Sequence, residues 1–308
     1  MGNNRKYNDY NSYLKDMFGQ RVQKITIDAG LTCPNRDGLL SKRGCIYCNN
    51  RGSGSGAFAM GHSIEEQIDR GRRAMIRKYN AKLFLAYFQS YTNTYTSCEN
   101  LKIMFDTALA YDDMVGMAIG TRPDCVDKEK IDLIMSYADN YLVWLEYGLQ
   151  SAHDKTLDLI NRGHDFKSFE YAVNLAKNSK INICAHIILG LPGEDRTMMI
   201  ETARKIADTG INGVKIHLLY VVKDTYLEKL YNAGKYTCMD QKEYVETICE
   251  FISYLPENII IQRITGDPNK NELVAPSWSI RRNETFQMIQ QQFEQRSLYQ
   301  GKQYKNVI

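Results

Sequence analysis

The chain has 308 residues, 44% of them hydrophobic and 24% charged, with a formal net charge of +3. That balance describes a globular protein of one or two domains; it excludes disordered and fibrous classes and leaves a nucleic-acid partner open. No apolar run reaches the length of a signal peptide or a membrane span, so no membrane partner and a cytoplasmic location are expected, with the eight cysteines reduced.

Short β-prone runs alternate with longer segments of helical period, the pattern of a parallel sheet with crossover helices. Strands are expected at Val22 to Asp28, Leu83 to Gln89, Met114 to Gly120, Tyr141 to Gly148, Ile181 to Leu189 and Val214 to Leu219. Helices are expected between them, at Ile64 to Tyr79, Asn100 to Ala110, Lys128 to Ala138, Phe166 to Asn178 and Asp195 to Thr209. The first of these carries Arg70, Arg72, Arg73, Arg77 and Lys78, a solvated face or a phosphate-binding patch. Such a series suits a barrel or an open doubly wound sheet. Beyond it come a helix at Lys242 to Tyr254, a strand at Ile259 to Thr265 and a polar helix at Arg282 to Tyr299. The chain therefore divides into a core at 1–220 and an α/β extension at 221–308 packed on it. In α/β sheets of either kind the chemistry sits at the carboxyl ends of the strands.

Just past the first strand, "CPNRDGLLSKRGCIYCNNRG" gathers Cys33, Cys45 and Cys48. A C-x-x-C pair offers two thiolates to a shared metal, and Cys33 adds a third. Structural zinc needs a fourth protein ligand, and the nearest later candidates, His62 and Cys98, stand at no familiar spacing. An iron–sulfur cube on three cysteines leaves its fourth iron open to a substrate or cofactor. Gly38, Gly44 and the "NNRGSGSG" run free the flanking backbone to fold around a bulky group. The other cysteines, Cys98, Cys125, Cys184, Cys238 and Cys249, read as core or incidental, with Cys125 nearest the active edge.

Four further stretches fall at strand ends: "TRPDCV" from Thr121, "LEYGLQS" from Leu145 with "RGH" from Arg162, "ILGLPGED" from Ile188, and "KIHLLYVVKDT" from Lys215. Together with three clustered cysteines and an aromatic, Tyr47, before the third, they resemble the radical S-adenosylmethionine (SAM) superfamily. "YFQSYTNTY", "HLLYVVKDT", "RITGD" and "YQG" extend the resemblance to the YhcC/YtqA-like, MnmL-type subgroup, over about Asp28 to Gly301. The long gap between Cys33 and Cys45 also resembles the Elongator catalytic subunit.

The resemblance implies a partial (β/α)6 TIM-like barrel, a 4Fe–4S cluster on Cys33, Cys45 and Cys48, and SAM on the open iron. It places Tyr47 near SAM, and Glu146, Gln150 and Ser151 at its ribose and methionine portions. Arg162 would meet the SAM carboxylate, and the turn containing Gly190 and Pro192 would border the adenine. Gln89 and Ser90 stand where relatives carry Gly-Gly-Glu for the SAM amino group. The implied reaction generates a 5′-deoxyadenosyl radical and converts a carboxymethylaminomethyl group on the tRNA wobble uridine to aminomethyl. Its partners would be the anticodon loop, a small electron donor such as flavodoxin or ferredoxin, and a methyltransferase. Tyr91, Tyr95, Trp278, Arg122, Asp124, His217 and Asp267 are the substrate candidates, with Arg281 and Arg282 as phosphate contacts. The alternatives are a coproporphyrinogen oxidase-like enzyme or another small-molecule radical SAM enzyme and, outside enzymes, a zinc-stabilised RNA-binding module. A methylthiotransferase would carry an extra cysteine triad, and an Elongator-like enzyme an acetyltransferase domain.

Overall fold

A computed structural model describes residues 5–49, 52 and 56–305. Most of the glycine-rich run after Cys48 lies outside the described residues. Seven strands form one parallel sheet: β1 (Val22–Ile27), β2 (Leu83–Phe88), β3 (Met114–Thr121), β4 (Leu142–Gln150), β5 (Asn182–Leu189), β6 (Gly213–Leu218) and β8 (Ile260–Arg263), in that spatial order. The run "LFLAYF" is apolar throughout because β2 is covered on both faces, as parallel strands under crossover helices are. Outside the sheet pack α2 (Ile64–Tyr79), α3 (Cys98–Leu109), α4 (Lys128–Tyr137), α6 (Phe166–Leu175) and α7 (Arg196–Ala207). Their starts follow from local chemistry. Ser63 and Glu66 form a reciprocal capping box on α2, and Asp127, Asp165 and Asp195 accept from backbone N–H groups at the starts of α4, α6 and α7.

The strand expected from Ile259 enters this sheet as β8, parallel to β6, so the tail contributes to the barrel wall. The sheet stays open between β1 and β8, yet it curls until these edges face each other. Lys24 on β1 donates to Gln262 on β8 at 3.1 Å and to Glu146 on β4 at 3.0 Å. A helix not expected from the sequence, α1 (Tyr10–Phe18), lies along the gap and touches both edges. Its approach is fixed by Ile261, whose N–H donates to Asn8 O at 2.8 Å. Tyr10 and Tyr13 present their rings to the edge of Trp144, with centroids 5.7 and 6.0 Å away, and close the barrel floor with Val22, Leu85 and Ile260.

Other unanticipated elements are short: α5 (Asp154–Leu159), α8 (Tyr226–Asn232) and an antiparallel pair of β7 (Val221–Val222) with β9 (Leu273–Ala275). The tail's two longer helices are α9 (Gln241–Ser253) and α10 (Arg282–Gln295), the latter ending before the expected Tyr299. Among the described residues, no helix is long and apolar enough to cross a membrane.

Trp144 is fully buried under α1. Trp144→Ala is therefore expected to lower the unfolding free energy by about 3–5 kcal/mol, read from the midpoint of urea denaturation.

Candidate active site

A cavity of about 620 Å³ opens at the carboxyl ends of the strands, within the ~300–1,000 Å³ of small-molecule sites. Cys33, Cys45 and Cys48 line it. Their loop is anchored through its apolar member: Ile46 sits among Leu157, Ile160, Leu191 and Leu227, donates its N–H to Ile160 O at 3.1 Å and accepts from Leu227 N at 2.8 Å. Asn161 holds the preceding turn by donating to Gly44 O at 2.6 Å. With Ile46 held in that cluster, the two flanking cysteines border the cavity.

Three donors approach the thiols. Arg162 Nη1 lies 3.5 Å and Asn35 Nδ2 3.6 Å from Cys45 Sγ, while Arg36 Nη1 lies 3.6 Å from Cys48 Sγ. Burial pushes the Cys45 thiol up, but the Arg162 guanidinium outweighs it and holds the pKa below the ordinary value. Burial and the neighbouring Cys45 push Cys48 up to about 11. Among the described residues, no three Cys, His, Asp or Glu side chains converge as ligands of one ion. A cube takes each thiolate on a different iron, so the three sulfurs need not converge on one point. Three thiols bordering one cavity, two of them with cationic or amide donors beside them, fit an anionic iron–sulfur cluster.

Next to the cysteines, the loop after β2 is built for a ligand. Among the described residues, Ser90 Oγ, Thr92 Oγ1, Asn93 Oδ1 and Asn35 Oδ1 are buried without a hydrogen-bond partner, and all four residues line the cavity. Buried polar atoms in native proteins are rarely orphaned, so a bound polar molecule fits here. The backbone is strained at the same place: Tyr91 has φ 55°, and Gln150, beyond a register shift at the end of β4, has φ 81°. Asn93 braces the loop by donating to Gly120 O at 2.8 Å.

Arg162 enters from the loop after α5 and donates through Nε and Nη2 to Gly148 O, at 3.1 and 2.6 Å. A methyl group at Gly148 would lie 2.6 Å from that Nη2, so the glycine admits the guanidinium. Arg122 holds the loop from below. It donates to Arg162 O at 2.8 Å and pairs bidentately with Asp124 at 2.9 and 2.7 Å. Two substrate candidates, the buried Arg122 and the exposed Asp124, thus brace Arg162. His164, beside both guanidiniums, has its pKa driven down to about 3, by burial first and by Arg162 second.

Deeper in the barrel, Glu146 is wholly buried and bonded to Lys24 at 3.0 Å, His186 at 2.9 Å and Lys215. Burial pushes its carboxyl up; Lys215, Lys24 and His186 overcome that and hold it well below the usual carboxylate range. Burial lowers Lys215 to about 7 despite Glu146, and lowers His186 to about 4.

Of the remaining expected residues, Tyr47, Gln89, Ser90, Tyr91, Gln150, His217 and Asp267 line the cavity. Ser151 instead bonds Glu194 beneath the turn after β5. Gly190, in the left-handed region at φ 83°, accepts from Tyr236 OH at 2.9 Å, and neither it nor Pro192 or Tyr95 reaches the cavity wall. Trp278 is a core residue, its indole N–H donated to Met239 O at 3.1 Å and its ring packed on Tyr244. Lys24, Lys215, Asn35 and Arg36 are additions. The two lysines were visible as charges inside β-prone runs, and the other two sit within "CPNRDG".

A family model described as the radical SAM superfamily matches residues 41–206, and one described as a radical SAM C-terminal domain matches 211–295. YtqA of Bacillus subtilis is 38% identical over 98% of this chain and 94% of its own, and YhcC of Escherichia coli is 39% identical over 88% and 87%. A tRNA uridine(34) acetyltransferase of Methanocaldococcus jannaschii is 27% identical over 50% of this chain and 28% of its own. The structure of archaeal Methanocaldococcus infernus Elp3, with an N-terminal deletion, shares the fold at a TM-score of 0.69 and 18% identity, covering 91% of this chain and 64% of that one.

Gly148→Ala should displace Arg162 from Cys45 and weaken cluster retention, in line with the ~10–100-fold losses that follow removal of partners behind metal ligands. Iron content after anaerobic reconstitution reads this, with Cys125→Ala, whose thiol lies outside the cavity lining, keeping wild-type iron. Separately, between about pH 7 and 10.5 the folded chain binds less proton at Lys215 than the unfolded one. Stability contributed through this group therefore rises with pH across that window. Urea midpoints measured from pH 7 to 10 should show the slope in the wild type and a flatter one in Lys215→Met.

Proposed function

The chain belongs to the radical SAM superfamily, and on that premise we propose that it modifies the tRNA wobble uridine, converting a carboxymethylaminomethyl side chain to aminomethyl. It is a radical SAM enzyme whose cofactors are a 4Fe–4S cluster and SAM. When bound they supply a 5′-deoxyadenosyl radical able to remove hydrogen from an unactivated carbon. In this reading Cys33, Cys45 and Cys48 hold the cluster, and Arg162, Asn35 and Arg36 stabilise its negative charge through the thiolates. Ser90, Thr92 and Asn93, with Gln89 and Gln150, supply the polar contacts to SAM, and Tyr47 flanks it. The walls keep the reacting carbon away from water.

The observation that carries the choice of substrate is the likeness of half the chain to a protein named for tRNA uridine 34. Tyr91, on the strained turn beside the cysteines, is the aromatic offered to an extruded base, with Arg36 over its ring at 5.8 Å. Arg281 and Arg282 lie at the start of α10, where they serve as phosphate contacts. A small electron-donor protein such as flavodoxin or ferredoxin reduces the cluster, and a methyltransferase acts on the aminomethyl product.

Two measurements test this. Anaerobically reconstituted protein should be brown, contain about four irons per chain and cleave SAM; zinc without SAM cleavage would refute the radical reading. Mass spectrometry of tRNA nucleosides from cells lacking the protein should show carboxymethylaminomethyl-uridine accumulating and the methylated product lost. Unchanged wobble uridines would refute the substrate.

A further inference from the structure

The cavity contains charge that neither the cluster nor the barrel uses. Lys24, His186 and Lys215 are all committed to Glu146. Arg263, the register partner of Lys215 on the neighbouring strand, is not. Among the described residues its guanidinium makes no hydrogen bond or ion pair, and the same holds for the carboxylate of Asp267 just beyond β8. These two opposite charges line one cavity without pairing with each other. His217 lines it as well, its ring 5.7 Å from that of His186, and burial first, then Arg263, hold its pKa well below the ordinary imidazole value.

A ligand that fills the cavity strips water from both charges, so each then needs an opposite charge from the ligand. A guanidinium fork suits a carboxylate, a carboxylate suits an ammonium, and a neutral imidazole contributes one donor and one acceptor. A group that meets all three is compact and zwitterionic, and the aminoacetate end of the side chain proposed above is one: an N-substituted glycine, with its secondary ammonium one carbon from its carboxylate. Arg263, Asp267 and Lys215 also border a second recess of about 920 Å³ along the gap between β1 and β8, so the position is reachable from two sides.

We propose that Arg263 and Asp267 form a zwitterion subsite for the aminoacetate end of the substrate side chain, Arg263 taking the carboxylate and Asp267 the ammonium, with His217 beside them. This deepens the tRNA reading above and rests on it for the identity of the carrier molecule.

The test measures binding of three anticodon stem-loop RNAs to reconstituted, SAM-saturated protein. They differ only at the wobble base, which is carboxymethylaminomethyl-uridine, aminomethyl-uridine or plain uridine. Wild type should prefer the carboxylate-bearing RNA over the aminomethyl one by about tenfold, the order expected of a charge-assisted pair. Arg263→Gln should erase that preference by weakening only the first RNA. Asp267→Asn should weaken both amine-bearing RNAs and spare plain uridine. Equal weakening of all three by Arg263→Gln would mark a phosphate contact, and loss of SAM affinity would mark a cofactor contact; either overturns the proposal. If wild type binds none of the RNAs, the tRNA reading fails and titration with N-methylglycine decides the subsite. Binding of N-methylglycine that Arg263→Gln removes upholds it, whereas no binding, or equal binding of inorganic phosphate, overturns it.

Discussion

The barrel depends on one buried carboxylate. Glu146 receives Lys24 from β1, His186 from β5 and Lys215 from β6, and Lys24 reaches on to Gln262 of β8. A sheet of seven parallel strands has no backbone hydrogen bonds to join its edges, so side chains must do it. Burying several charges is costly unless each is answered, and removing one partner leaves the others stranded. The same cluster divides the interior into two environments. Below it lies the aromatic plug of Tyr10, Tyr13 and Trp144; above it lies a polar cavity ending at the thiols.

Above the cluster, positioning passes through the backbone. Gly148 lacks the side chain that would block Arg162, so its carbonyl accepts two of that guanidinium's donors while a third faces Cys45. Arg122, gripped by Asp124, fixes the carbonyl of Arg162 itself. The result is a cation held rigidly beside a thiol by Gly148 on β4 and by the segment just past β3. Such preorganisation would stabilise negative charge on the thiol, or on a cluster held there, without reorganising when that charge changes.

Much of this was legible in the sequence, because periodicity reports burial. The six strands through β6 and the helices between them lie close to their expected positions, and α2 has its expected bounds, Ile64 and Tyr79. The cysteine cluster and the strand-end strings were equally visible, since each holds a local excess of special residues. What was missed has a physical cause. At nine residues α1 is short, and its buried stripe is only Tyr10 and Leu14, too few positions to mark a helix in the sequence. Arg162 is a local letter whose neighbours, Gly148 and Cys45, come from distant segments, so its hydrogen bonds could not be read in advance. Trp278 read as an aromatic substrate candidate near arginines, yet Tyr244 and Met239 enclose it. Lys24 and Lys215 stand as charges inside β-prone runs, and only closure of the barrel brings both to one acid.

The closing of the gap between β1 and β8 also sets an order of events during synthesis. Asn8 accepts from Ile261, its N–H bonds Gln300 Oε1 at 2.8 Å, and Gln300 N bonds Lys6 O at 2.9 Å. These are among the longest loops the chain closes, and such contacts form late. The three thiols leave the ribosome early, whereas the seal behind them waits for the last strand and the segment after α10. The growing chain is thus an open trough with these thiols accessible, and translation itself times the interval before the barrel shuts.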